Sequence, residues 1–130
     1  MNYEIRVGGP FLDEDDIDNV VKVLREGRLS GGIYSEIFEK EFAKFLGVKH
    51  AIAVNSATSA LQLMLAAKDI GKNDEVITTP YTYAATANVI ILQGAKPIFV
   101  DIEMDSYNID TTKIEEVITK NTKAIMPIHY

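Results

Sequence analysis

The sequence contains no cysteine, which excludes a disulfide framework, a thiolate metal site and a cysteine nucleophile. It has two histidines and no His-x-x-x-His or other paired ligand spacing, so no metal is expected. Basic residues are in deficit: 13 Lys+Arg stand against 19 Asp+Glu, a net charge of −6. Nucleic acid and anionic membrane both require a basic footprint, and neither is expected as a partner. No apolar run approaches the roughly 20 residues that span a bilayer. The opening stretch MNYEIRVGGPFLDEDD lacks the apolar segment of a secretory signal. A soluble, cytoplasmic protein is therefore the expectation. What remains is 130 residues with 47% hydrophobic and 25% charged content, the balance of one globular domain with a single core.

The first part of the chain reads as helical. Asp13-Glu14-Asp15-Asp16 suits a helix start, where carboxylates meet exposed amides and the positive end of the dipole. Ile17, Val20, Val21 and Leu24 follow on one face, and Gly27 is a stop. Residues 28–32 read as a loop. Ser35 is expected to cap a second helix carrying Phe38, Phe42, Phe45 and Leu46 on one face, with Gly47 ending it. Residues 1–48 thus form an expected two-helix arm, amphipathic and lying on the surface.

Residues 49–130 read differently. Short apolar strands are expected at 51–54, 75–78, 97–100 and 123–128. Helices are expected at 60–68, 83–93 and from the Asp110 cap through Ile114, Val117 and Ile118. The 60–68 helix is apolar on nearly every side and should be buried. Strand and helix alternate at roughly 22 to 26 residues, the mark of βαβ units with parallel strands covered on both faces. The expected fold class is α/β, a mostly parallel sheet preceded by the helical arm.

Ligands of open α/β sheets bind beyond the carboxyl ends of the strands. Three segments fall there: residues 55–59, 79–83, and His129-Tyr130. Asn55-Ser56-Ala57-Thr58-Ser59 ahead of a helix offers amides, hydroxyls and a dipole end that suit a phosphate; the same residues equally suit plain helix capping. Tyr83 could stack on a planar ring or pack beneath a loop. His129, ending an apolar strand, reads as a hydrogen-bonded core or edge residue. The carboxylates of 13–18 read as a solvated helix face.

Several stretches together resemble the DegT/StrS family of nucleotide-sugar aminotransferases, pyridoxal-phosphate (PLP) enzymes of fold type I. They are Ser30-Gly31-Gly32 with Phe38-Glu39-Lys40-Glu41-Phe42-Ala43; Val54-Asn55-Ser56-Ala57-Thr58-Ser59-Ala60-Leu61; and Asp74-Glu75-Val76-Ile77-Thr78-Thr79-Pro80-Tyr81-Thr82-Tyr83. Gly94-Ala95-Lys96-Pro97, Val100-Asp101-Ile102, Asn108-Ile109-Asp110 and Thr122-Lys123-Ala124-Ile125-Met126-Pro127-Ile128-His129 continue the match in order.

The resemblance implies transfer of an amino group, with glutamate as donor, to the keto group of a nucleotide-linked sugar in polysaccharide or deoxysugar biosynthesis. It implies PLP as cofactor and a homo-oligomer. By position, Thr58 and Ser59 would hold the cofactor phosphate and Tyr83 would stack on its pyridine ring. Ala57 stands where many members carry Gly. The aspartate that pairs with the ring nitrogen and the lysine that forms the Schiff base lie beyond Tyr130 in the family, and none of the ten lysines present occupies that motif position. No catalytic residue is therefore assigned within these 130 residues. As given, they are expected not to transaminate and to bind PLP weakly at most. The strand at 51–54 would lack its usual neighbour, leaving an open edge that repacks or self-associates. A sugar dehydratase with His for the lysine, and a non-catalytic assembly module, are the alternatives.

Overall fold

The computed structural model describes residues 8–27 and 29–130. Residues 1–7 of the expected arm and Arg28 of the expected loop lie outside the described residues. The chain divides into two compact units, Met1–Ala53 and Val54–Tyr130.

In the first unit, α1 (Glu14–Glu26) starts where the acidic run places it. The Asp16 amide donates to the Asp13 carboxylate at 3.0 Å, and the Asp13 amide donates to the Asp16 carboxylate at 3.2 Å. This reciprocal box satisfies two amides that a helix start leaves without partners. Gly27 ends α1 at φ 71°, a region that disfavours residues with a Cβ. Helix α2 (Ile33–Leu46) begins before the expected Ser35 cap. Gly32, at φ 145° and ψ −152°, turns the chain directly into the helix without a side-chain cap and leaves Ser35 inside the first turn. Only a glycine reaches that backbone region readily. The Tyr34 hydroxyl donates to the Glu26 carboxylate at 3.0 and 3.1 Å, and the Ala53 amide donates to the Glu39 carboxylate at 2.8 Å. Among the described residues of this unit Ala43 alone is buried; Ile17, Val20, Leu24, Phe38 and Phe42 are exposed.

The second unit is an α/β arrangement. Strands β1 (Glu75–Thr78), β2 (Lys96–Phe99) and β3 (Thr122–Ile125) form a parallel sheet in the order β2-β1-β3. Alternation along β1 divides the core. Val76 packs with Leu65, Ile70, Val89, Ile90 and Ala95, beneath α3 (Ala57–Ala67) and α4 (Ala85–Leu92). Ile77 points the other way, to Val100 and Ile109, with Ile98, Ile114 and Val117 against them. Both faces of the central strand are thereby covered, which is why its side chains are apolar at consecutive positions.

Further expectations need correction. Residues 51–54 form no strand, and Ile52 is 82% exposed; a strand is defined by its ladder partner, which a short apolar run does not itself supply. The 60–68 helix starts earlier, at Ala57 behind the Ser56 cap, and only Leu65 in it is buried. It packs along α4 on one side, so all-round apolarity overstates its burial. Helix α4 starts at Ala85 rather than Tyr83, because Tyr83 lies in the approach turn and its carbonyl accepts from the Thr86 amide at 3.0 Å. After Asp110 the chain makes two 3₁₀ turns, Thr111–Lys113 and Glu115–Val117, instead of an α-helix. The β-branched run Thr111, Thr112, Ile114, Val117 and Ile118 crowds an α-helical turn.

Candidate functional site

Helix α3 opens on a dense cap. The Ser59 amide donates to the Ser56 hydroxyl at 3.1 Å, the two hydroxyls lie 3.0 Å apart, and the Ser59 hydroxyl donates to the Asn55 side-chain oxygen at 2.7 Å. Thr58 is exposed and Ser59 half-buried. The amides of Ala57 and Thr58 have no acceptor among the described residues, the usual condition of a helix start and the one that attracts an anion.

The next segment, residues 79–84, follows β1. Thr79 is fully buried and its hydroxyl accepts from the Tyr81 amide at 3.3 Å; the Thr82 and Thr86 hydroxyls meet at 2.8 Å. These bonds fasten the base of the loop, while Tyr83 at its crest is 83% exposed. Helices α3 and α4 run with the same polarity. The chain leaving α3 brings Gly71 and Lys72 against Gln93 and Gly94, which end α4. The two carboxyl ends therefore meet at the amino edge of the sheet, and the two amino ends, with Thr58, Ser59 and Tyr83, face its carboxyl edge. That is the edge at which ligands of α/β sheets are held.

The structure adds a group that sequence patterns did not assemble. Tyr81 follows β1, Tyr107 follows β2 and Tyr130 follows β3; their ring centroids are 5.7 Å (Tyr81–Tyr107), 5.0 Å (Tyr81–Tyr130) and 5.7 Å (Tyr107–Tyr130) apart. The Tyr81 and Tyr130 hydroxyls share a hydrogen bond at 3.1 Å. That bond and the charge of the Tyr130 phenolate, then partial burial, hold the Tyr81 phenol above its ordinary range. Tyr81, Tyr83 and Tyr130 line a cavity of about 290 Å³ with Pro80, Thr82 and Ile128, near the lower size limit of small-molecule sites. His129 is exposed beside it in sequence rather than held in a core. The only available sequence signal for the trio is that each tyrosine lies past the carboxyl end of a strand.

Asp110 and Lys113 form a separate pair at 3.0 Å. The Asp110 carboxylate also accepts from the Thr112 hydroxyl at 2.6 Å and the Thr112 amide at 3.1 Å. Chiefly through the Thr112 hydroxyl and then Lys113, its pKa is lowered; Asp110 in turn raises that of Lys113.

A helix amino end and an exposed aromatic thus stand at the carboxyl edge of a parallel α/β sheet, the edge at which ligands of such sheets bind. The sequence pattern of the DegT/DnrJ/EryC1/StrS aminotransferase family matches residues 10–130, and the chain belongs to that family. It is 50% identical over 129 residues to the spore coat polysaccharide biosynthesis protein SpsC of Bacillus subtilis, covering 99% of this chain and 33% of that protein. It is 43% identical to the UDP-4-amino-4-deoxy-L-arabinose–oxoglutarate aminotransferase of Shewanella sediminis, over 93% of this chain and 31% of that one. The putative sugar aminotransferase Spr1654 from Streptococcus pneumoniae in its PLP form superposes with a TM-score of 0.87 at 36% identity, over 95% of this chain and 31% of its own length. The chain thus spans about a third of the length of the curated relatives it matches. Among the described residues no helix is long and apolar enough to cross a membrane.

Proposed function

We propose that this chain supplies the phosphate cradle and one ring-facing wall of a PLP site in a nucleotide-sugar aminotransferase. In this reading Thr58 and Ser59 hold the cofactor phosphate, and Tyr83 lies against the pyridine ring. PLP, when bound, supplies the electron sink for amino transfer. The amino donor is glutamate and the acceptor a keto sugar carried on a nucleotide. The enzyme is a cytoplasmic homo-oligomer of polysaccharide biosynthesis.

The observation that carries this reading is the shared polarity of α3 and α4, which sets the exposed Thr58 and Tyr83 at the same edge of the sheet. The residues fit the group in two respects. The unpartnered Ala57 and Thr58 amides match the need of a dianionic phosphate for donors. The exposed Tyr83 ring offers a face to a heteroaromatic ring.

The test is a titration of the protein with PLP and with pyridoxal, which differ only in the phosphate. PLP is expected to bind at least tenfold more tightly, and Tyr83→Ala to weaken both ligands. Equal affinity for the two would overturn the phosphate assignment.

A further inference from the structure

Tyr107 sits at φ 57°, a backbone region in which a bulky side chain is an outlier. Asp69 and Asn73 share the region, but their short polar side chains tolerate it. Such a residue persists only where its surroundings over-determine it. Here they do. The Tyr107 amide donates to the Glu103 carbonyl at 2.9 Å, the Glu103 amide to the Asn108 carbonyl at 2.9 Å, and the Ser106 hydroxyl to the Glu103 carboxylate at 2.9 Å. An antiparallel bridge between Ile102 and Ile109 closes the base. The same loop grips the chain after β3, because the Asn108 side-chain oxygen accepts from the Tyr130 amide at 2.9 Å.

This backbone directs the Tyr107 ring at Tyr81 and Tyr130, 5.7 Å from each. Tyr83, largely exposed, has little packing of its own to fix its ring. Its orientation depends on the loop beneath it. Thr79 and the Thr82–Thr86 pair hold that loop on the helix side, and Tyr81 is its hold on the other.

We propose that Tyr107 is a positioning residue: it braces Tyr81 and Tyr130 into a clasp across the three strand ends and so fixes the loop that presents Tyr83. The proposal rests on the reading of Tyr83 as a ring-facing contact.

Three variants of the protein test it: Tyr107→Asn, which keeps the backbone region accessible and removes the ring; Tyr107→Phe, which keeps the ring; and Tyr83→Ala. PLP affinity is measured by fluorescence titration, and phenol ionisation by absorbance at 295 nm in the absence of PLP. Tyr107→Asn is expected to weaken PLP binding about three- to tenfold and to move the high phenol transition down toward the ordinary value of about 10. Tyr107→Phe is expected to keep both near the parent values. Wild-type PLP affinity in Tyr107→Asn, with affinity lost in Tyr83→Ala, overturns the brace while leaving the Tyr83 contact standing. An unmoved phenol transition in Tyr107→Asn overturns it as well. Undiminished PLP affinity in Tyr83→Ala removes the ring-facing reading, and the proposal falls with it.

Discussion

The Ser59 hydroxyl donates to the Asn55 side-chain oxygen at 2.7 Å, while the amide of the same residue is held by Ser56 at 3.1 Å. Ser59 is therefore committed to the local cap, and an anion would have to compete for it. Thr58, one position earlier, has neither its amide nor its hydroxyl paired among the described residues. Of the two residues assigned to the phosphate, Thr58 can respond without dismantling the start of α3.

A clean separation follows for Thr58→Val, which removes a hydroxyl but keeps shape and backbone. Melting should be unchanged to within about 0.5 kcal/mol, as for an exposed substitution outside any cap. Affinity for PLP should fall about tenfold or more, since hydrogen bonds to charged groups contribute roughly 1.5–3 kcal/mol. Affinity for pyridoxal should not change. A parallel loss for both ligands would move Thr58 from the phosphate to the ring.

Ser56→Ala probes the opposite balance. Its hydroxyl is the acceptor that satisfies the Ser59 amide, and loss of such a cap costs about 1 kcal/mol. Urea melts should report that loss through a shifted midpoint at constant slope. Ser56→Gly should recover most of it, since glycine at this position costs only a few tenths.

What could be read from the sequence divides along the range of the interactions. Helix α1 was legible because both halves of its capping box, Asp13 and Asp16, and its apolar stripe lie within a dozen neighbouring positions. Strand β1 was legible because a short apolar run between loop residues needs little further context. Residues 51–54 carry the same signal and form no strand, since pairing depends on a partner that local composition cannot supply. The residue types at Thr58, Ser59 and Tyr83 could be singled out because Thr58 and Ser59 stand in the first turn of α3 and Tyr83 in the turn just before α4. The tyrosine clasp could not, for it joins three segments far apart in the chain. Its pivot, Tyr107, takes a backbone angle imposed by its amide's hydrogen bond to the Glu103 carbonyl and by the Glu103–Asn108 bond that closes the loop, rather than by its own preference.

The two faces of β1 allow a test of where the core resides. Val76 and Ile77 are both fully buried, one toward the helices and one toward the 3₁₀ turns. Ile77→Ala should cost about 2–5 kcal/mol, the range for truncating a buried isoleucine. Val76→Ala removes fewer methyl groups and should cost less. With different neighbours on opposite faces, the double variant should lose the sum to within about 0.5 kcal/mol. A strong departure from additivity would mean that the sheet shifts as a body when either face is emptied.

The Asp110–Lys113 pair sets the sign of a pH dependence at both extremes. The Asp110 pKa is lowered, chiefly by the Thr112 hydroxyl and then by Lys113. Its contribution to stability is thus complete above the unfolded carboxylate value of about 3.9 and is lost as pH falls through the lower folded value. The Lys113 pKa is raised, chiefly by its hydrogen bond to Asp110. Its contribution is complete below the unfolded value of about 10.4 and is lost as pH rises through the higher folded value. Asp110→Asn isolates the charge, because asparagine can still accept from the Thr112 amide and cap the turn. The stability gap between parent and variant should be level from about pH 5 to 9, then narrow at both ends. About 1 M salt should shrink its plateau, since exposed pairs are screened. A gap that held constant down to pH 2 would show that Asp110 acts only as a neutral cap.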